Sequence, residues 1–280
     1  MKKIYDDLSF NCSKSVTQAY STSFNWAVNM LSPSIQMDIH SIYGFVRIAD
    51  EVVDTFHDYD KETLINEFEE DVYKSIKMGI SLNPILNSFQ KTVNKYNIDL
   101  SLIDAFLRSM KMDLVKSDYN SVEEYKDYIY GSADAVGLMC LFVFVNGDSI
   151  LYNNLKESAM RLGSAFQKVN FLRDLRDDNE LLNRSYFPNL DLHNFSQEQK
   201  NLIINEIEED FMEARKGIVK LPNSAKFGVY TAFVYYSRLL SKLKQTPYSK
   251  IMLSRIRISN FLKARLLFRA YINCKLNLLS

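Results

Sequence analysis

The amino-acid sequence predicts an all-α fold, and three observations carry this prediction. Its 280 residues include only 8 Gly and 5 Pro, so helix breakers are few over a long chain. Apolar residues recur at i, i+3, i+4 and i+7 almost throughout, which is the period of an amphipathic helix. Asp60, Ser121 and Ser196 are suited as N-caps, and Glu124 and Gln199 complete capping boxes at the last two.

The apolar periodicity predicts ten helices in chain order. Pro33 and Pro84 fall in the first turn of their helices, where proline is tolerated. No internal repeat, low-complexity segment or Gly/Ser linker divides the chain, so we expect one domain over residues 1–280. The clearest irregular stretch is 180–195. The predicted helices span roughly 12–31, 33–55, 61–78, 83–96, 99–116, 121–146, 150–179, 196–218, 223–243 and 249–274.

The charge of the chain is zero in sum but unevenly distributed. Between Arg215 and Ser280 there are 14 Lys and Arg and no Asp or Glu. Such a basic segment suits a diphosphate, a membrane surface or a nucleic acid, although a solvated helix face would have the same composition. Nucleic acid is the least favoured of these partners, because the net charge is zero and no recognition motif is present.

Cysteine usage and hydropathy indicate the compartment. Cys12, Cys140 and Cys274 are odd in number and lack metal-site spacing, which predicts a reduced, cytoplasmic protein. No apolar segment follows the basic residues at the start, so we expect no secretory signal. The longest apolar run, residues 135–145, is too short to span a bilayer. Membrane contact is therefore expected only at the protein's surface.

The first pattern with chemical content lies in the predicted helix 33–55. Tyr43, Arg47, Asp50 and Asp54 follow the spacing i, i+4, i+7, i+11 and therefore share one helix face. The residues between them are mostly apolar, which predicts a buried helix, and buried carboxylates need a partner. Mg²⁺ is a suitable one, because it binds one or two carboxylates and completes its shell with water and substrate phosphates.

The second pattern lies in the predicted helix 150–179. Gln167, Asn170, Asp174 and Asp178 form one stripe, and Arg173 lies beside it, where it could contact phosphate. Amide and carboxylate oxygens on one face suit the ligation of metal and metal-bound water. A single D-x-x-x-D pair is most often an exposed helix face. Two such helices facing each other across a cavity could together bind two or three Mg²⁺ ions.

Basic and aromatic residues supply two further candidate elements. Tyr236 and Arg255, together with Arg257 and Lys263, could approach a diphosphate from the side opposite the aspartates. A set of apolar residues could either pack as ordinary core or line the long pocket that a polyprenyl chain needs. This set comprises Phe24, Trp26, Phe45, Phe166, Phe171 and the run 138–144.

Seven landmarks follow one another along most of the chain. They are Ser21–Phe24 (S-x-S-F), Tyr43–Asp54 (Y-x-x-x-R-x-x-D-x-x-x-D), Tyr130–Gly137, Leu162–Asp178 (LG then Q-x-x-N-x-x-R-D-x-x-x-D), Arg184–Pro188 (R-x-Y-x-P), Tyr236 and Arg255. In this order they make the chain resemble the squalene/phytoene synthase family, and within it the bacterial phytoene synthases of carotenoid biosynthesis. Tyr130–Gly137 is similar to the helix break Y-x-x-x-A-G-x-V-G of that family. Asp134 departs from the pattern, because most relatives have glycine there, and we expect it to affect the local backbone or the cavity more than the chemistry.

The resemblance implies a single-domain helical isoprenoid synthase fold with a central apolar cavity. It also implies a prenyltransferase that condenses two isoprenoid diphosphates head to head. The resemblance further implies that this chain binds Mg²⁺, or Mn²⁺ in its place, and that the metal helps the first diphosphate to leave. The implied ligands are Asp50, Asp54, Asn170, Asp174 and Asp178. The second prenyl chain would attack the allylic cation to give a cyclopropylcarbinyl diphosphate, which ionises and rearranges in turn.

The same resemblance implies roles for the other site residues. Tyr43 and Arg47 join the aspartates as catalytic residues. Arg184 and Tyr186 would hold the segment 180–195 as a lid that excludes water. The substrate-binding residues that the resemblance implies are Ser21, Phe24, Tyr130, Val136, Gly137, Gln167, Asn170, Arg173, Arg184, Tyr186, Tyr236 and Arg255.

The expected product is phytoene from two geranylgeranyl diphosphates. The chain has neither a G-x-G-x-x-G fingerprint nor a membrane anchor, which favours a product formed without NADPH. The resemblance implies that positions 28 and 40 lie at the deep end of the cavity, provided that the predicted helices 12–31 and 33–55 pack as in relatives. Val28 and His40 are not large aromatics and leave room for a C20 chain.

Three alternatives stay open beside this expectation. The first is a dehydrosqualene or squalene-type synthase that uses farnesyl diphosphate. The second is a class I cyclase or chain-elongating prenyltransferase, although these typically carry D-D-x-x-D or N-S-E-type motifs. The third is a non-enzymatic assembly-factor relative, which the intact aspartates disfavour.

Overall fold

The computed structural model of the chain is all-α, with no β-strand among the residues it describes. The fold class is therefore the predicted one. For residues 178–182 the description covers the backbone alone. The described residues are 1–117, 119, 121–182, 184–188, 195–253, 255–276 and 278.

Thirteen α-helices and one π-helical segment follow one another in this described part of the chain. They are α1 Lys2–Tyr20, α2 Thr22–Val28, α3 Pro33–Asp54, α4 Lys61–Met78, α5 Pro84–Tyr96, α6 Leu100–Val115, α7 Val122–Ile129, the π segment Tyr130–Asp134, α8 Ala135–Phe144, α9 Ser149–Leu182, α10 Gln197–Ile218, α11 Asn223–Gln245, α12 Tyr248–Ile251 and α13 Asn260–Lys275.

Most predicted helices are confirmed with boundaries close to the expected ones. Asp60, Ser121 and Ser196 each cap a helix start as predicted. Asp60 caps α4 by accepting from the Thr63 amide at 3.1 Å. Ser196 and Gln199 form both hydrogen bonds of a capping box at the start of α10. Each side-chain acceptor satisfies an N–H group that would otherwise lack an intrahelical partner.

The predicted helix 12–31 is wrong in its extent. The first helix starts at Lys2 and ends at Tyr20, because Ser21 has an extended backbone (φ −143°, ψ 98°). The Ser21 hydroxyl then accepts from the Phe24 amide at 3.3 Å and starts α2. This break lets α2 turn toward α3 and brings Phe24 against Tyr43.

The predicted helix 121–146 contains the π segment, which the periodicity did not indicate. Gly131 explains its position, since a Cβ atom there would lie 2.4 Å from the carbonyl oxygen of Ala105 on α6. Only glycine permits so close an approach of two backbones. π-helical turns are frequent at functional sites, and the residues that follow this one line the central cavity.

The predicted helix 249–274 is interrupted between α12 and α13. Tertiary contacts override the periodicity in this stretch. Arg255 extends to Asp174 on α9, and the neighbouring Ile256 is buried in the core. Ser259 then caps α13 by accepting from the Leu262 amide at 3.3 Å.

The two helices that carry the aspartate stripes pack against the same apolar helix. Both α3 and α9 pack against α8, while α9 also packs against α10, α11 and the π segment. The continuous helical stretch Val122–Phe144 has the length and composition of a membrane span. In the fold, 56% of its most apolar part is buried by neighbouring helices, as in the core helix of a helical array.

Candidate active site

The first aspartate stripe lies on α3 and is bound by two arginines. Arg47 donates from Nη1 to Oδ2 of Asp50 at 2.5 Å and from Nη2 to Glu51. Asp54, one turn further along, accepts from Nη1 of Arg184 at 2.6 Å. Burial alone would lower the pKa of Arg47, but the carboxylates of Asp50 and Glu51 outweigh it and leave this pKa raised. Both aspartates of the stripe are therefore paired with an arginine.

Aromatic rings close the apolar end of this stripe. The Tyr43 ring stacks on Phe24 with centroids 4.7 Å apart, and the Arg47 guanidinium lies 4.3 Å from the centre of the Tyr20 ring. Burial raises the pKa of Tyr43 to about 12. The phenol thus stays protonated at neutral pH and can donate a hydrogen bond to an anion.

Asp174, in the second stripe, is held by arginines from two directions. Arg173 donates from Nε to Oδ1 at 2.9 Å and from Nη2 to Oδ2. Arg255 approaches from the irregular stretch before α13, with Nε 2.7 Å from Oδ1 and Nη2 3.1 Å from Oδ2. On α13, burial and the nearby Arg173 lower the pKa of Lys263, which therefore belongs to the same group of cations. Forked guanidinium donors of this kind suit the oxygens of a diphosphate.

The amide end of the second stripe faces the cavity. Asn170 Oδ1 accepts from the Tyr236 hydroxyl at 3.4 Å, and the Tyr236 ring stacks on Phe166 at 4.1 Å. Gln167 lines the cavity itself. The side chain of Asp178 lies outside the described residues, so its place in the stripe stays a prediction.

Arg184 joins the segment after α9 to the first stripe. Besides its bond to Asp54, it donates to the Asp113 carbonyl at 3.0 Å and to the Tyr186 hydroxyl at 3.2 Å. Tyr186 is buried and stacks almost parallel on Phe171, with centroids 4.0 Å apart. The start of the predicted lid is therefore anchored to both α3 and α9.

The rest of the predicted lid is only partly described. Of the stretch 180–195, residues 183 and 189–194 lie outside the described residues, and 180–182 are described by their backbone alone. The role of this stretch as a lid thus stays a prediction.

Asp113, on α6, is a buried carboxyl group that no sequence pattern indicated. Its Oδ2 accepts from the Tyr128 hydroxyl at 2.7 Å and its Oδ1 from the Tyr119 hydroxyl at 3.4 Å. Burial raises the pKa of Asp113 to about 7, although Arg184 and the Tyr128 bond oppose this. Asp113 belongs to no spaced motif, and its position among apolar residues of an amphipathic helix was the only available signal. Glu51, in contrast, stands four residues after Arg47, a spacing from which its ion pair could have been predicted.

The donor set fits a hard divalent cation. Burial and the neighbouring Asp54 raise the pKa of Asp50 to about 7 against the effect of Arg47, so this face is short of compensating positive charge. Carboxylates of Asp50, Asp54 and Asp174 and the amide oxygen of Asn170 are ligand types that Mg²⁺ takes. Among the described residues, no three acidic, His or Cys side chains form a ready-made metal cluster. That arrangement suits a cation that shares one or two carboxylates with substrate phosphates.

An apolar cavity of about 260 Å³ opens between α2, α3, α8, α9, α10 and α11. Its polar end lies at Tyr43 and Gln167, and its opposite end at Phe144 and Leu155. The lining along α9 from Leu155 to Gln167 is about 18 Å long at about 1.5 Å per residue. Other lining residues are Phe24, Val28, Ile39, Ile42, Val46, Val136, Gly137, Cys140, Leu141, Ala159, Leu162, Gly163, Phe166, Ile218, Gly228 and Val229.

Part of the apolar set singled out in the sequence lies away from this cavity. Phe24 and Phe166 line it, whereas Trp26 does not. Phe45 is fully buried in the core and stacks on Phe89 at 4.0 Å, and Phe171 packs under Tyr186. A buried aromatic residue on an amphipathic helix can face either the cavity or a neighbouring helix, and the helical period alone does not distinguish them.

His40 faces α1, and its expected place at the deep end of the cavity is wrong. Its Nδ1 lies 3.0 Å from the Thr17 hydroxyl oxygen, and the side chain is fully buried. Burial, with a smaller effect from Lys14, lowers the pKa of His40 to about 4. Val28 does line the cavity. On α3 the lining positions recur with the helical period from Ile39, and position 40 is rotated away from that face.

Asp134 ends the π segment and turns away from the cavity. Its Oδ1 accepts from the Ser164 hydroxyl on α9 at 2.7 Å. Burial raises the pKa of Asp134 to about 7, although the Ser164 bond opposes this. Val136 and Gly137 line the cavity, while Asp134 and Tyr130 do not. The extra carboxylate therefore leaves the cavity wall intact.

Comparison with known families assigns the chain. The profile of the family described as squalene/phytoene synthase matches residues 17–261, well over half of the sequence. The chain belongs to the squalene/phytoene synthase family. Members of this family are prenyltransferases, which transfer alkyl groups, and they depend in general on divalent metal ions.

Curated relatives of this squalene/phytoene synthase family member include phytoene synthases. The chain is 27% identical to phytoene synthase of Arthrospira platensis, covering 86% of its own length and 85% of the relative. It is 26% identical to 15-cis-phytoene synthase of Synechocystis, covering 84% and 77%. It is 25% identical to the chloroplastic phytoene synthase 1 of Solanum lycopersicum, of which it spans only 61%.

Solved structures of related synthases share the fold. A dehydrosqualene synthase in complex with a ligand superimposes with a TM-score of 0.85 at 18% identity, over 96% of this chain and 98% of that one. A squalene synthase from Alicyclobacillus acidocaldarius gives 0.75 at 19% identity, over 86% and 95%. At these identities the likeness shows the all-α isoprenoid synthase fold.

Proposed function

We propose that the protein condenses two molecules of geranylgeranyl diphosphate head to head into phytoene, as a step of carotenoid biosynthesis. The observation that carries this proposal is the apolar cavity that begins at the two aspartate-bearing helices. Its lining along α9 is about 18 Å long. An extended C20 prenyl chain measures about 19 Å and a C15 chain about 14 Å, at about 1.25 Å per carbon–carbon bond. The length of the cavity therefore favours the C20 substrate.

The aspartate stripes supply the polar end of the proposed site. Asp50, Asp54, Asn170 and Asp174, with Asp178, would hold two or three Mg²⁺ ions, or Mn²⁺ in their place, which stabilise the charge on the leaving diphosphate. Each of these side chains comes from α3 or α9, so both helices have to be in place before a diphosphate binds.

The arginines complete the proposed diphosphate site. Arg173 and Arg255 already direct four N–H groups at the Asp174 carboxylate. Diphosphate oxygens can take over some of these donors at little reorganisation cost, because the guanidinium groups are fixed in advance. Arg47 and the protonated Tyr43 offer donors from the α3 side. The leaving group is thus clamped between both stripes.

The cavity wall protects the carbocations that form when diphosphate leaves. Phe24, Tyr43, Phe166 and Tyr236 present aromatic faces near the polar end, where they can stabilise positive charge. The wall deeper in the cavity is apolar, so little water reaches the reacting carbons. Exclusion of water prevents capture of the cations as alcohols.

A second candidate is the coupling of two farnesyl diphosphates to dehydrosqualene. The observation that favours it is the close fold match with a dehydrosqualene synthase. Both candidates use the same polar end and differ in the length of cavity that the chain fills. Neither requires NADPH, for which the sequence has no G-x-G-x-x-G fingerprint.

The test is a product assay with both substrates. Purified protein is incubated with Mg²⁺ and either geranylgeranyl or farnesyl diphosphate, and the hydrocarbon is identified by mass spectrometry. A C40 product supports the proposal. A C30 product from the shorter substrate alone overturns it in favour of the second candidate, and no product with either substrate points to a non-enzymatic relative.

Matched variants test the metal assignment. Asp50→Asn and Asp174→Asn are each expected to lower kcat at least about a hundredfold, since each removes a carboxylate ligand of the Mg²⁺ ions that would stabilise the leaving diphosphate. Asp58→Asn makes the same charge change at an exposed position and should leave kcat unchanged. Full activity in both site variants would refute the assignment.

A further inference from the structure

The outward face of α13 carries an apolar stripe that no other part of the described chain covers. Phe261, Phe268, Ile272 and Leu276 recur with the helical period on this face, together with Arg265. The exposed fractions of the four apolar residues are 75% for Phe261, 67% for Phe268, 37% for Ile272 and 62% for Leu276. We call the face formed by these five residues the α13 surface.

The helix is docked to the protein by its opposite side. Ala270 is fully buried there against α11, and Asn273 donates to the Tyr230 hydroxyl at 3.1 Å. The apolar stripe is therefore a second face of α13, distinct from the face that packs against the core. A row of large apolar side chains on a docked helix indicates a partner outside the chain.

Basic side chains flank the stripe. Arg265, Arg269 and Lys275 lie within or beside it and are exposed, and the sequence from Arg215 to Ser280 contains no acidic residue. A second copy of the chain docking by the same surface would bring like charges together. The complementary partner is anionic and has an apolar interior behind its charged surface.

We propose that the α13 surface binds an anionic lipid bilayer, with its apolar stripe in the boundary between headgroups and acyl chains. Basic helices with aromatic and aliphatic residues on one face bind membranes in this way. A cleft of about 210 Å³ borders the surface between α11 and α13 and offers the lysines Lys226 and Lys275 to a lipid phosphate. The surface thus provides both apolar insertion and charge.

This inference rests on the proposed function, because membrane binding would serve the release of its hydrocarbon product. A C40 or C30 hydrocarbon is insoluble in water, and it has to pass from the cavity into a bilayer. Helix α11 lies next to both the cavity and α13. Its residues Gly228 and Val229 line the cavity, and α13 packs against it. Binding by α13 would hold the catalytic cavity at the membrane into which the product partitions.

The test is flotation of the purified full chain with vesicles, in the absence of Mg²⁺ and substrate. One set of vesicles is phosphatidylcholine alone and the other an equal mixture with phosphatidylglycerol. We expect binding to the mixed vesicles that weakens with added salt. Phe261→Ser with Phe268→Ser should lower the partition coefficient at least about tenfold. Arg265→Gln with Arg269→Gln should lower it roughly fivefold per residue on mixed vesicles only.

Two control variants make the same chemical changes elsewhere. Leu82→Ser with Leu202→Ser removes apolar side chains that are 94% and 65% exposed on other faces. Lys74→Gln with Lys77→Gln removes two exposed positive charges on α4. Neither pair should change the partition coefficient by more than about twofold, the scatter expected for side chains away from the interface.

Three outcomes would overturn the inference. The first is an absence of binding to the mixed vesicles. The second is an equal loss in the control variants, which would mean that binding is not local to α13. The third is a dimer in analytical ultracentrifugation that Phe261→Ser with Phe268→Ser dissociates, because the surface would then join two copies. Turnover in detergent micelles is measured separately and should be retained in all α13 variants, so a failure of the proposed reaction is distinguishable from a failure of membrane binding.

Discussion

Arg184, which follows the second aspartate motif, donates a 2.6 Å hydrogen bond to Asp54, the last carboxylate of the first motif and 130 residues earlier in the chain. The same guanidinium binds the Asp113 carbonyl and the Tyr186 hydroxyl. Burial alone would lower the pKa of Arg184, but Asp113, Tyr186 and Asp54 together raise it, so the side chain remains charged. The Arg184 side chain therefore joins the segment after α9 to the aspartate-bearing face of α3.

Replacing Arg184 by lysine tests whether its three hydrogen bonds contribute to activity and stability. Arg184→Lys keeps the positive charge but removes the forked donor that binds three acceptors at once. We expect kcat/KM to fall at least about tenfold and unfolding free energy to fall by about 1–3 kcal/mol, because buried acceptors lose their partners. Steady-state kinetics and urea unfolding measure the two effects.

Arg161→Lys is the matched control for this prediction. Arg161 also bridges two carboxylates, of Glu157 and Asp210, but at the contact between α9 and α10. Its variant should keep kcat/KM within about twofold of the wild type, since neither Arg161 nor its two partners line the cavity. Wild-type kinetics in Arg184→Lys would mean that the link between the two motifs is dispensable.

The length of the cavity predicts a change of substrate preference. Ala159 lines the deep half of the cavity on α9, and phenylalanine there would fill space that only a C20 chain reaches. We expect Ala159→Phe to lower kcat/KM for geranylgeranyl diphosphate at least about tenfold, with a smaller effect on farnesyl diphosphate, because the added ring would take up space that only the longer chain needs. Competition between the two substrates in one assay measures the ratio.

Asn154→Phe provides the control, because Asn154 is on the exposed side of α9. It introduces the same ring without entering the cavity and should leave the ratio of the two substrates unchanged. If Ala159→Phe also left that ratio unchanged, the deep half of the cavity would play no part in selecting chain length.

The aspartate stripes could be predicted from the sequence because their members share one short helix face. The i, i+4, i+7, i+11 spacing places Tyr43, Arg47, Asp50 and Asp54 together whatever the rest of the fold does. The same holds for the stripe from Gln167 onward. Local geometry of this kind needs no knowledge of which helices are neighbours.

The long-range pairs could not be predicted in this way. Arg255 reaches Asp174 only because the chain leaves helical geometry between α12 and α13, where the apolar period predicts an unbroken helix. The Arg184–Asp54 bond likewise depends on how the segment after α9 folds back. The expected place of His40 rests on helices packed as in relatives, and the residue instead contacts Thr17 on α1, because burial of a helix position does not show which neighbour buries it.

The burial of His40 predicts a pH dependence of stability. Its pKa is lowered to about 4 in the folded protein from an ordinary value of 6.5. Between these pH values the unfolded chain binds a proton that the folded protein does not, so this residue's contribution to stability falls as the pH falls. The loss is at most about 3 kcal/mol and is complete near pH 4.

Comparison with His40→Asn isolates this effect from the buried carboxyl groups. Asp113 and Asp134 have raised pKa values and act in the opposite direction over the same range. The stability of the wild type relative to His40→Asn should decrease as the pH is lowered from 7 to about 4, measured by urea unfolding. Thr17→Val removes the hydrogen bond to His40 but keeps the buried imidazole, and it should retain the wild-type pH dependence. A flat difference for His40→Asn would contradict the lowered pKa.

Asp134 predicts a stabilising substitution with the opposite dependence on pH. Its pKa is raised to about 7 in the folded protein from 3.8, so in the range between them the folded state binds a proton that the unfolded chain lacks. The wild type therefore gains stability from this group as the pH falls, and at pH 8 it carries the cost of a buried charge. Asp134→Asn keeps an acceptor for the Ser164 hydroxyl without the charge. We expect it to be about 1–3 kcal/mol more stable than the wild type at pH 8, with no advantage near pH 4.

Asp134→Gly separates the effect of charge from that of the backbone. It also removes the buried charge, but it leaves the Ser164 hydroxyl without this acceptor and adds the conformational entropy of glycine, which costs about 1 kcal/mol in a helix. The asparagine variant should therefore be the more stable of the two at pH 8. If the glycine variant were the more stable, the aspartate would strain the π segment through its backbone. Neither substitution should alter the C40 to C30 product ratio, because Asp134 does not line the cavity.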